Sequence, residues 1–196
     1  MSSWSRCRSS DLTTIPFGQH GARITVQRRA VPAFRALESV MNAHRYHIRP
    51  ADTGAYNCRV IAGTSTWSNH AYGIAVDVNW QTNPYSSRLI TDMPAAMIRD
   101  IENIRTADGT RVFRWGGRYS GSKDAMHFEV MVSPEQIARG ITGQGGFTVA
   151  EVEAIVNAIQ RQGELTRQKI EASTAKIITA VQNQGKLTRE KIEAQG

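Results

Sequence analysis

Two short segments of the sequence combine imidazoles and carboxylates with apolar neighbours. The first contains His70 and Asp77, and the second contains Asp124 and His127. Placing such side chains in apolar, strand-like surroundings costs free energy unless a metal ion or hydrogen-bond partners compensate. Two histidines and one carboxylate form the donor set of a catalytic zinc site, and a further carboxylate could act as its general base. The two segments therefore indicate a hydrolytic metal centre.

Both segments alternate in the manner of strands, over residues 73–80 and 127–132. In the first segment, one face would carry Ile74, Val76 and Val78, and the other Ala75, Asp77 and Asn79. In the second, one face would carry Phe128, Val130 and Val132, and the other His127, Glu129 and Met131. Glycine has the conformational freedom to turn the chain at Gly73, which would bring His70 back over the first strand. If the two strands are neighbours, His70, Asp77 and His127 converge on one point.

Zinc held by two histidines and one carboxylate keeps a fourth tetrahedral position for water, as catalytic sites do. The metal lowers the pKa of this water to about 7, and Asp124 could accept its proton. The residues alone leave a second interpretation open. In that interpretation the histidines are satisfied core or surface residues, Asp77 begins a turn and Glu129 faces solvent.

A known family has a similar pattern of residues. The chain resembles the family of D-alanyl-D-alanine carboxypeptidases and L-alanyl-D-glutamate peptidases. The resemblance lies in three motifs: Ser68-x-His70-x-x-Gly73-x-Ala75-x-Asp77-x-Asn79, Trp115-Gly116-Gly117 and Asp124-x-Met126-His127-Phe128-Glu129. Members are zinc peptidases that cut the stem peptides of peptidoglycan, and they include bacteriophage endolysins. The resemblance covers roughly residues 30–135, and residues 54–59 are similar to the family's segment with a functional arginine.

The resemblance implies a role for each matching residue. His70, Asp77 and His127 would hold one Zn²⁺ per catalytic domain, and Asp124 would be the catalytic base. Arg59 would stabilise the developing oxyanion or bind a substrate carboxylate, since a guanidinium stays charged and donates paired hydrogen bonds. An ordinary surface arginine is the alternative for Arg59.

Three further residues are candidates for the surroundings of the metal. Glu129 shares a strand face with His127 and would orient that ring. Ser68 and Tyr72 would line the cleft or pack beside it. The sequence departs from many relatives in having Asp124 where some carry Glu, and Tyr119 where Trp is frequent, which leaves the choice of substrate bond open.

Composition limits the class of protein. The chain has 196 residues and a net charge of +7, without a long apolar run for a transmembrane span or an N-terminal secretory signal. A wall-degrading enzyme of this kind would stay in the host cytoplasm until its release to the cell wall. The charge suits an anionic bacterial envelope; the arginines are scattered and no nucleic-acid motif accompanies them, so we expect no specific nucleic-acid partner.

The order of predicted elements indicates an α+β fold, with a small, mostly antiparallel sheet and flanking helices around the zinc site. Strands are predicted at Arg23–Gln27, 56–61 and 111–115, and helices over 31–45 and 94–104. Residues before Arg23 look irregular. Cys7 and Cys58 are distant in sequence and suggest no disulfide framework, and Cys58 is interpreted as a small buried strand residue.

Three regions are predicted along the chain: a catalytic domain at 1–141, a glycine-rich linker at 142–148 and a helical tail at 149–196. In the tail, residues 162–172 return as 184–194, a period of 22 or two elevens. Such a repeat, at about 3.67 residues per turn, gives a narrow apolar stripe on a nearly straight helix. The stripe could form a homo-oligomer, lie on a membrane or wall surface, or pack back on the domain.

The favoured function is that of a phage endolysin, a zinc peptidase with L-alanyl-D-glutamate endopeptidase activity on peptidoglycan. D-alanyl-D-alanine carboxypeptidase activity is the nearest alternative, because both activities would use the same metal site. A non-catalytic cell-wall-binding module is a second alternative, although the retained Asp124 disfavours it. A basic protein associated with nucleic acid is a third.

Overall fold

The structure, a computed structural model, describes residues 4–142 and 149–193, with the side chains of the last helix described over 157–185. The chain divides into two compact units, Met1–Thr148 and Val149–Gly196. The predicted linker at 142–148 lies, apart from Thr142, outside the described residues. The functional roles assigned to the three regions stay predictions.

The first unit is built from short strands and three α-helices, and the predicted α+β fold is confirmed. Its strands are β1 (Leu12–Pro16), β2 (Arg23–Gln27), β3 (Ala75–Asp77), β4 (Tyr85–Ser86), β5 (Arg105–Thr106), β6 (Phe113–Trp115), β7 (Lys123–Asp124), β8 (His127–Val130) and β9 (Ile141–Thr142). Its helices are α1 (Val31–Ala43), α2 (Ala95–Glu102) and α3 (Pro134–Ala138). All strand pairs are antiparallel: β1 with β2, β4 with β7, β5 with β9, and β8 between β3 and β6.

The three-stranded sheet brings the two chemistry-bearing segments together. β8 is its central strand, and every residue of β8 is buried. Asp77 of β3 lies directly opposite His127 of β8, and Ala75 lies opposite Glu129. Because directly opposed residues of an antiparallel pair project to the same face, Asp77 and His127 share one side of the sheet. The prediction that these strands are neighbours is confirmed.

Helices α1 and α2 cover this sheet with apolar faces at helical spacing. The buried side chains are Phe34, Leu37, Val40 and Met41 from α1 and Met97, Ile98 and Ile101 from α2. The ring centroids of Phe34 and Phe113 lie 6.1 Å apart in an edge-to-face arrangement, which ties α1 to β6. Burial of each large side chain contributes about 1.5–3 kcal/mol, so this core supplies the rigidity beneath the candidate site.

Element boundaries differ from those predicted where the backbone takes left-handed conformations. The helix predicted over 31–45 ends at Ala43, and Arg45 has φ of 54°. The strand predicted through Trp80 ends at Asp77, since Asn79 has φ of 53°. Asn79 instead accepts a hydrogen bond from the backbone N–H of Arg49 at 2.8 Å.

Two regions were assigned the wrong local structure. No strand forms at 56–61, where only Val60 takes part in an isolated bridge, to Trp67. Conversely, the chain before Arg23 was predicted to be irregular, yet β1 forms there because it pairs along its whole length with β2.

The absence of a disulfide was also a wrong prediction, because Cys7 and Cys58 form one. Their Cα atoms are 5.3 Å apart although 51 residues separate them in sequence. The backbone N–H of Cys7 donates to the carbonyl of Ala71 at 2.8 Å, which brings the N-terminal chain to Cys58. Cys58 is exposed in irregular structure, not buried in a strand.

The second unit is a single helix, α4 (Val149–Glu193), as predicted for the tail. Ile159, Ile170 and Val181, spaced eleven apart, are 66%, 62% and 66% exposed. The side chain of Ile192, the fourth residue of this series, lies outside those described. Within the described residues, no helix is both long and apolar enough to cross a membrane.

Candidate metal centre

Three side-chain atoms converge at the edge of the central sheet. They are Nε2 of His70, Oδ1 of Asp77 and Nδ1 of His127, here called the His–Asp–His triad. The two nitrogens are 3.1 Å apart, and Asp77 Oδ1 lies 3.2 Å from the His70 nitrogen and 2.9 Å from the His127 nitrogen. Ligand atoms around a tetrahedral zinc ion are about 3.3 Å apart. The triad therefore has the size and donor chemistry of a zinc site with one position left for water.

Local structure before β3 delivers His70. The residue lies in a short 3₁₀ helix, Asn69–Tyr72, whose first turn is capped by Ser68: its hydroxyl accepts the His70 N–H at 3.3 Å. Gly73 ends this helix with φ of 66°, and a Cβ there would lie 2.6 Å from the backbone nitrogen of Gln27. Only glycine fits this turn without strain, so the chain can reverse from His70 into β3.

Each histidine of the triad is oriented by a contact to its second ring nitrogen. His70 Nδ1 is hydrogen-bonded to the carbonyl oxygen of Ala55. A carbonyl only accepts, so Nδ1 carries the proton and the Nε2 lone pair is free for a metal. His127 Nε2 lies 3.7 Å from Oε2 of Glu129. The sequence did not indicate Ala55, because a backbone acceptor leaves no mark on residue type.

Glu129 is itself held from several sides. It is 2% exposed, pairs with Arg114, and accepts hydrogen bonds from Asn69 and, at 3.0 Å, from the hydroxyl of Tyr119. Burial alone would raise the pKa of Glu129, but His127 and Arg114 outweigh it and lower the pKa to about 2. A fixed, buried carboxylate of this kind can orient the His127 ring. The alternative of a solvent-facing Glu129 does not hold.

The electrostatic field at the triad favours positive charge. Burial works to lower the pKa of His127, yet Asp77 and Glu129 raise it to about 9. Burial works to raise the pKa of Asp77, and hydrogen bonds to His127 and His70 bring it well below the usual range. The same carboxylates that stabilise an imidazolium would stabilise a bound divalent cation.

Asp124 lies on β7, three residues before His127, and has an unpaired carboxylate oxygen. Its Oδ1 is the one buried side-chain N or O atom among the described residues without a hydrogen-bond partner. Burial raises the pKa of Asp124, an effect that the charges of His127 and, more weakly, Arg59 oppose. A buried acceptor without a protein partner suits a carboxylate that contacts a reacting water.

The backbone approaches Asp124 very closely on one side. Gly116 follows β6, and a Cβ on it would overlap the carbonyl oxygen of Asp124 and come within 2.9 Å of the Asp124 Cβ. Glycine at this position therefore lets β7 sit against the end of β6. The Trp115-Gly116-Gly117 motif thus has a steric role in placing Asp124, which residue spacing alone did not reveal.

Arg59 is placed differently from the triad. It lies in the irregular residues 54–68, here called the Arg59 segment, and its side chain is exposed. Within the described residues its guanidinium makes one hydrogen bond, a long one of 3.5 Å to the carbonyl of Val60. The Arg59 charge is near enough to act on the pKa of Asp124, but the guanidinium does not contact the triad.

The two proposed cleft residues have structural contacts. Ser68 is buried as the cap described above, and Tyr72 is partly buried against the apolar core. Their lining of a cleft stays a prediction.

A donor triad of tetrahedral size beside an unpaired carboxylate defines a candidate hydrolytic metal centre. Residues 62–130 match the family model described as D-alanyl-D-alanine carboxypeptidase. The match contains the whole triad and Asp124 and leaves Arg59 just outside. Comparison with curated proteins and with solved structures found no match. The family match supports a hydrolytic peptidase, and the triad suggests that it depends on zinc.

Proposed function

We propose that this protein is a zinc peptidase that cleaves the stem peptides of peptidoglycan. The observation that carries the proposal is the convergence of the His70, Asp77 and His127 donor atoms to within 2.9–3.2 Å of one another, inside the segment that matches the peptidase family. The buried, unpaired oxygen of Asp124 supports a catalytic centre over a non-catalytic wall-binding module, which has no need of a base.

Each protein group then has a distinct task. Zinc, when bound, polarises the scissile carbonyl and acidifies water. Asp124 accepts the proton of the attacking water and returns it to the departing amine, a task favoured by its raised pKa. Arg59 donates hydrogen bonds to the oxyanion as charge develops there. Ala55 and Glu129 hold the histidine rings in the ligating orientation.

The finer function that we propose is that of a phage endolysin with L-alanyl-D-glutamate endopeptidase activity. D-alanyl-D-alanine carboxypeptidase activity is the second candidate, and the description of the matching family favours it. The net charge of +7 supports attraction to the anionic bacterial envelope. In this proposal residues 1–141 catalyse, 142–148 link, and the protein stays in the host cytoplasm until release to the wall.

Release of muropeptides from purified peptidoglycan, analysed by mass spectrometry, tests the proposal. The zinc-loaded protein should release fragments that the chelator-treated protein does not. New amino termini on D-glutamate would identify the endopeptidase, and free D-alanine the carboxypeptidase. No cleavage of several wall types by protein with bound zinc would refute the peptidase and favour the wall-binding module.

For α4 we propose self-association with a second copy of the chain. The described apolar residues of its stripe are about two-thirds exposed and recur every eleven residues, so identical helices could bury them together. From Arg161 to the end there are seven Lys or Arg and four Glu, a mixed charge that suits a partner helix better than a membrane surface.

A further inference from the structure

The Arg59 segment is attached to the triad at its beginning. Gly54 and Asp77 exchange backbone hydrogen bonds of 2.9 and 2.8 Å. The carbonyl of Ala55 binds the ring of His70, and the N–H of Asn57 donates to the carbonyl of His70 at 3.3 Å. Up to Asn57, therefore, the segment is fixed by the same residues that would hold the metal.

Beyond Asn57 the noncovalent support becomes sparse. The N–H of Arg59 donates only to the carbonyl of Asn57 two residues away, at 2.9 Å, which is a local turn contact. Its carbonyl accepts from the N–H of Ser68 at 3.2 Å, a single hydrogen bond to the buried cap of the helix that carries His70. The exposed guanidinium has no strong partner among the described residues. Backbone with so few anchors to the core opens at low cost in free energy.

The disulfide adds a covalent anchor at the adjacent residue, Cys58. Cys58 is bonded to Cys7, and the N–H of Cys7 donates to the carbonyl of Ala71, next to His70. Arg6, the residue before Cys7, contacts the other end of the Arg59 segment. Its guanidinium carbon lies 4.4 Å from the centre of the Trp67 ring. The N-terminal chain thus crosses the segment and fastens it to the element that carries His70.

We propose that the Cys7–Cys58 disulfide positions Arg59 for the peptidase reaction, so that the activity depends on the redox state of these two cysteines. With the bond formed, residue 59 is held one residue from a covalent bond to Cys7, whose N–H is hydrogen-bonded to the carbonyl of Ala71 beside His70. With the bond reduced, the support beyond Asn57 consists only of the backbone bonds of residues 59–61 with 66–68 and the contact between Arg6 and Trp67, and Arg59 samples positions from which it cannot reach the oxyanion. Cys7 and Cys58 are positioning residues in this scheme, and they do not contact the substrate.

The redox step is an ordinary thiol–disulfide exchange. The two thiols lose two protons and two electrons to a small-molecule disulfide such as oxidised glutathione, which is released as two thiols. Disulfides persist outside the cytoplasm, whereas inside it cysteines are kept as reduced thiols. If the enzyme is made in the cytoplasm, as proposed above, the anchor would form where the enzyme meets its wall substrate.

This inference rests on the proposed function, and a cycle of variants tests it. Cys7→Ser breaks the anchor from the far side of the bond and leaves residues 54–68 unchanged. We expect it to lower kcat on zinc-loaded protein by about tenfold or more, since a displacement of about 1 Å can cost up to roughly 100-fold. In the Arg59→Ala background, Cys7→Ser should have little further effect, because the group being positioned is already absent.

Equal losses from Cys7→Ser with and without Arg59 would overturn the inference, since they would indicate general loosening of the domain. An unchanged kcat in Cys7→Ser would overturn it as well. Zinc content and melting temperature, measured on every variant, separate these results from lost metal or unfolding. Reduction of the wild-type protein should lower kcat, and oxidised glutathione should restore it.

A second measurement does not depend on catalysis. Hydrogen–deuterium exchange at the amides of residues 57–61 should become faster on reduction of the wild-type protein, while exchange in β8 should stay the same. Unchanged exchange at 57–61 would refute the anchor itself. Absence of zinc-dependent cleavage by the oxidised protein would instead refute the proposed function, and with it the role of the anchor in catalysis.

Discussion

The His–Asp–His triad and the Arg59 segment are held in place by opposite structural means. The triad side chains of His70 and His127 are 5% and 10% exposed, and a buried sheet and a second layer of hydrogen bonds hold them. Arg59 is exposed, lacks regular secondary structure and is fastened by a covalent bond next to it. The proposed function accounts for this difference, since groups that hold a metal gain from rigidity, whereas a group that binds a polymeric substrate has to stay accessible.

The largest expected effect comes from Asp124→Ala, which removes the proposed base but none of the metal ligands. We expect kcat to fall by about 10²–10⁴-fold, the usual contribution of general acid–base catalysis. Zinc content, measured by elemental analysis of the purified variant, should stay the same. Substantial remaining activity would remove Asp124 from its role.

Gly116→Ala tests whether the placement of Asp124 depends on close backbone packing. The new Cβ would overlap Asp124, so we expect β7 to shift and kcat to fall by about 100-fold, with zinc still bound. Gly121→Ala is a matched control, because nothing lies within 4 Å of a Cβ at that position. Similar losses in both variants would contradict a specific steric role for Gly116.

Glu129→Gln tests the second layer of the rigid region. Loss of the orienting carboxylate beside His127 should weaken zinc binding by about 10–100-fold. Competition with a chromogenic chelator measures this change. Glu135→Gln is the control variant, because the Glu135 side chain is 56% exposed and pairs with Arg29. The zinc affinity of this variant should equal that of the wild-type protein.

Asp52 lies two residues before Gly54, where the Arg59 segment begins. From its ion pair we predict that stability depends on pH. Its buried carboxylate pairs with Arg49 at 2.6 Å, which holds the pKa of Asp52 below its usual range. A group with a lowered folded-state pKa stabilises the fold above its unfolded-state pKa, and this contribution is lost as the pH falls through the folded-state value.

Urea denaturation at pH 7 and at pH 2–3 measures this contribution. We expect Asp52→Asn to lower the free energy of unfolding at pH 7 by about 1.5–3 kcal/mol, the usual size for a hydrogen bond to a charged group. The difference between the variant and the wild-type protein should shrink as the pH falls toward the lowered folded-state pKa of Asp52. A difference that is constant with pH would contradict the assignment.

The smallest effect on catalysis is expected from Ile170→Glu, outside both regions. This change places a charge in the apolar stripe of α4, so an oligomer formed through the stripe should dissociate in sedimentation equilibrium. Turnover of small soluble muropeptides should not change. Gln168→Glu adds the same charge at an exposed polar position of α4 and should leave the oligomer intact. A wild-type protein that is monomeric throughout would refute the self-association.

The sequence predicted the features that residue type and alternation determine. The convergence of His70, Asp77 and His127 followed from two short alternating segments, and the α+β class followed from the order of elements. Helix and strand ends were less predictable, because Arg45 and Asn79 take left-handed conformations that depend on tertiary contacts.

Other parts of the site depend on contacts between distant residues. The pairing of Arg114 with Glu129 requires the register of β6 against β8, which no local pattern specifies. The Cys7–Cys58 bond closes 51 residues, and two cysteines alone do not reveal whether they meet. The Ala55 carbonyl cannot be inferred from residue type, since every residue has one.

The central position of β8 couples assembly of the candidate metal centre to correct folding. Its neighbours β3 and β6 set the register that brings His127 opposite Asp77. A slip of one residue would turn His127 to the other face and put Phe128 in its place. Misaligned chains would then have no complete donor set. A cation that binds the triad would stabilise only the correctly paired sheet, and so it would shift the equilibrium away from misaligned chains. Metal supplied during refolding should therefore raise the yield of protein with correctly aligned strands.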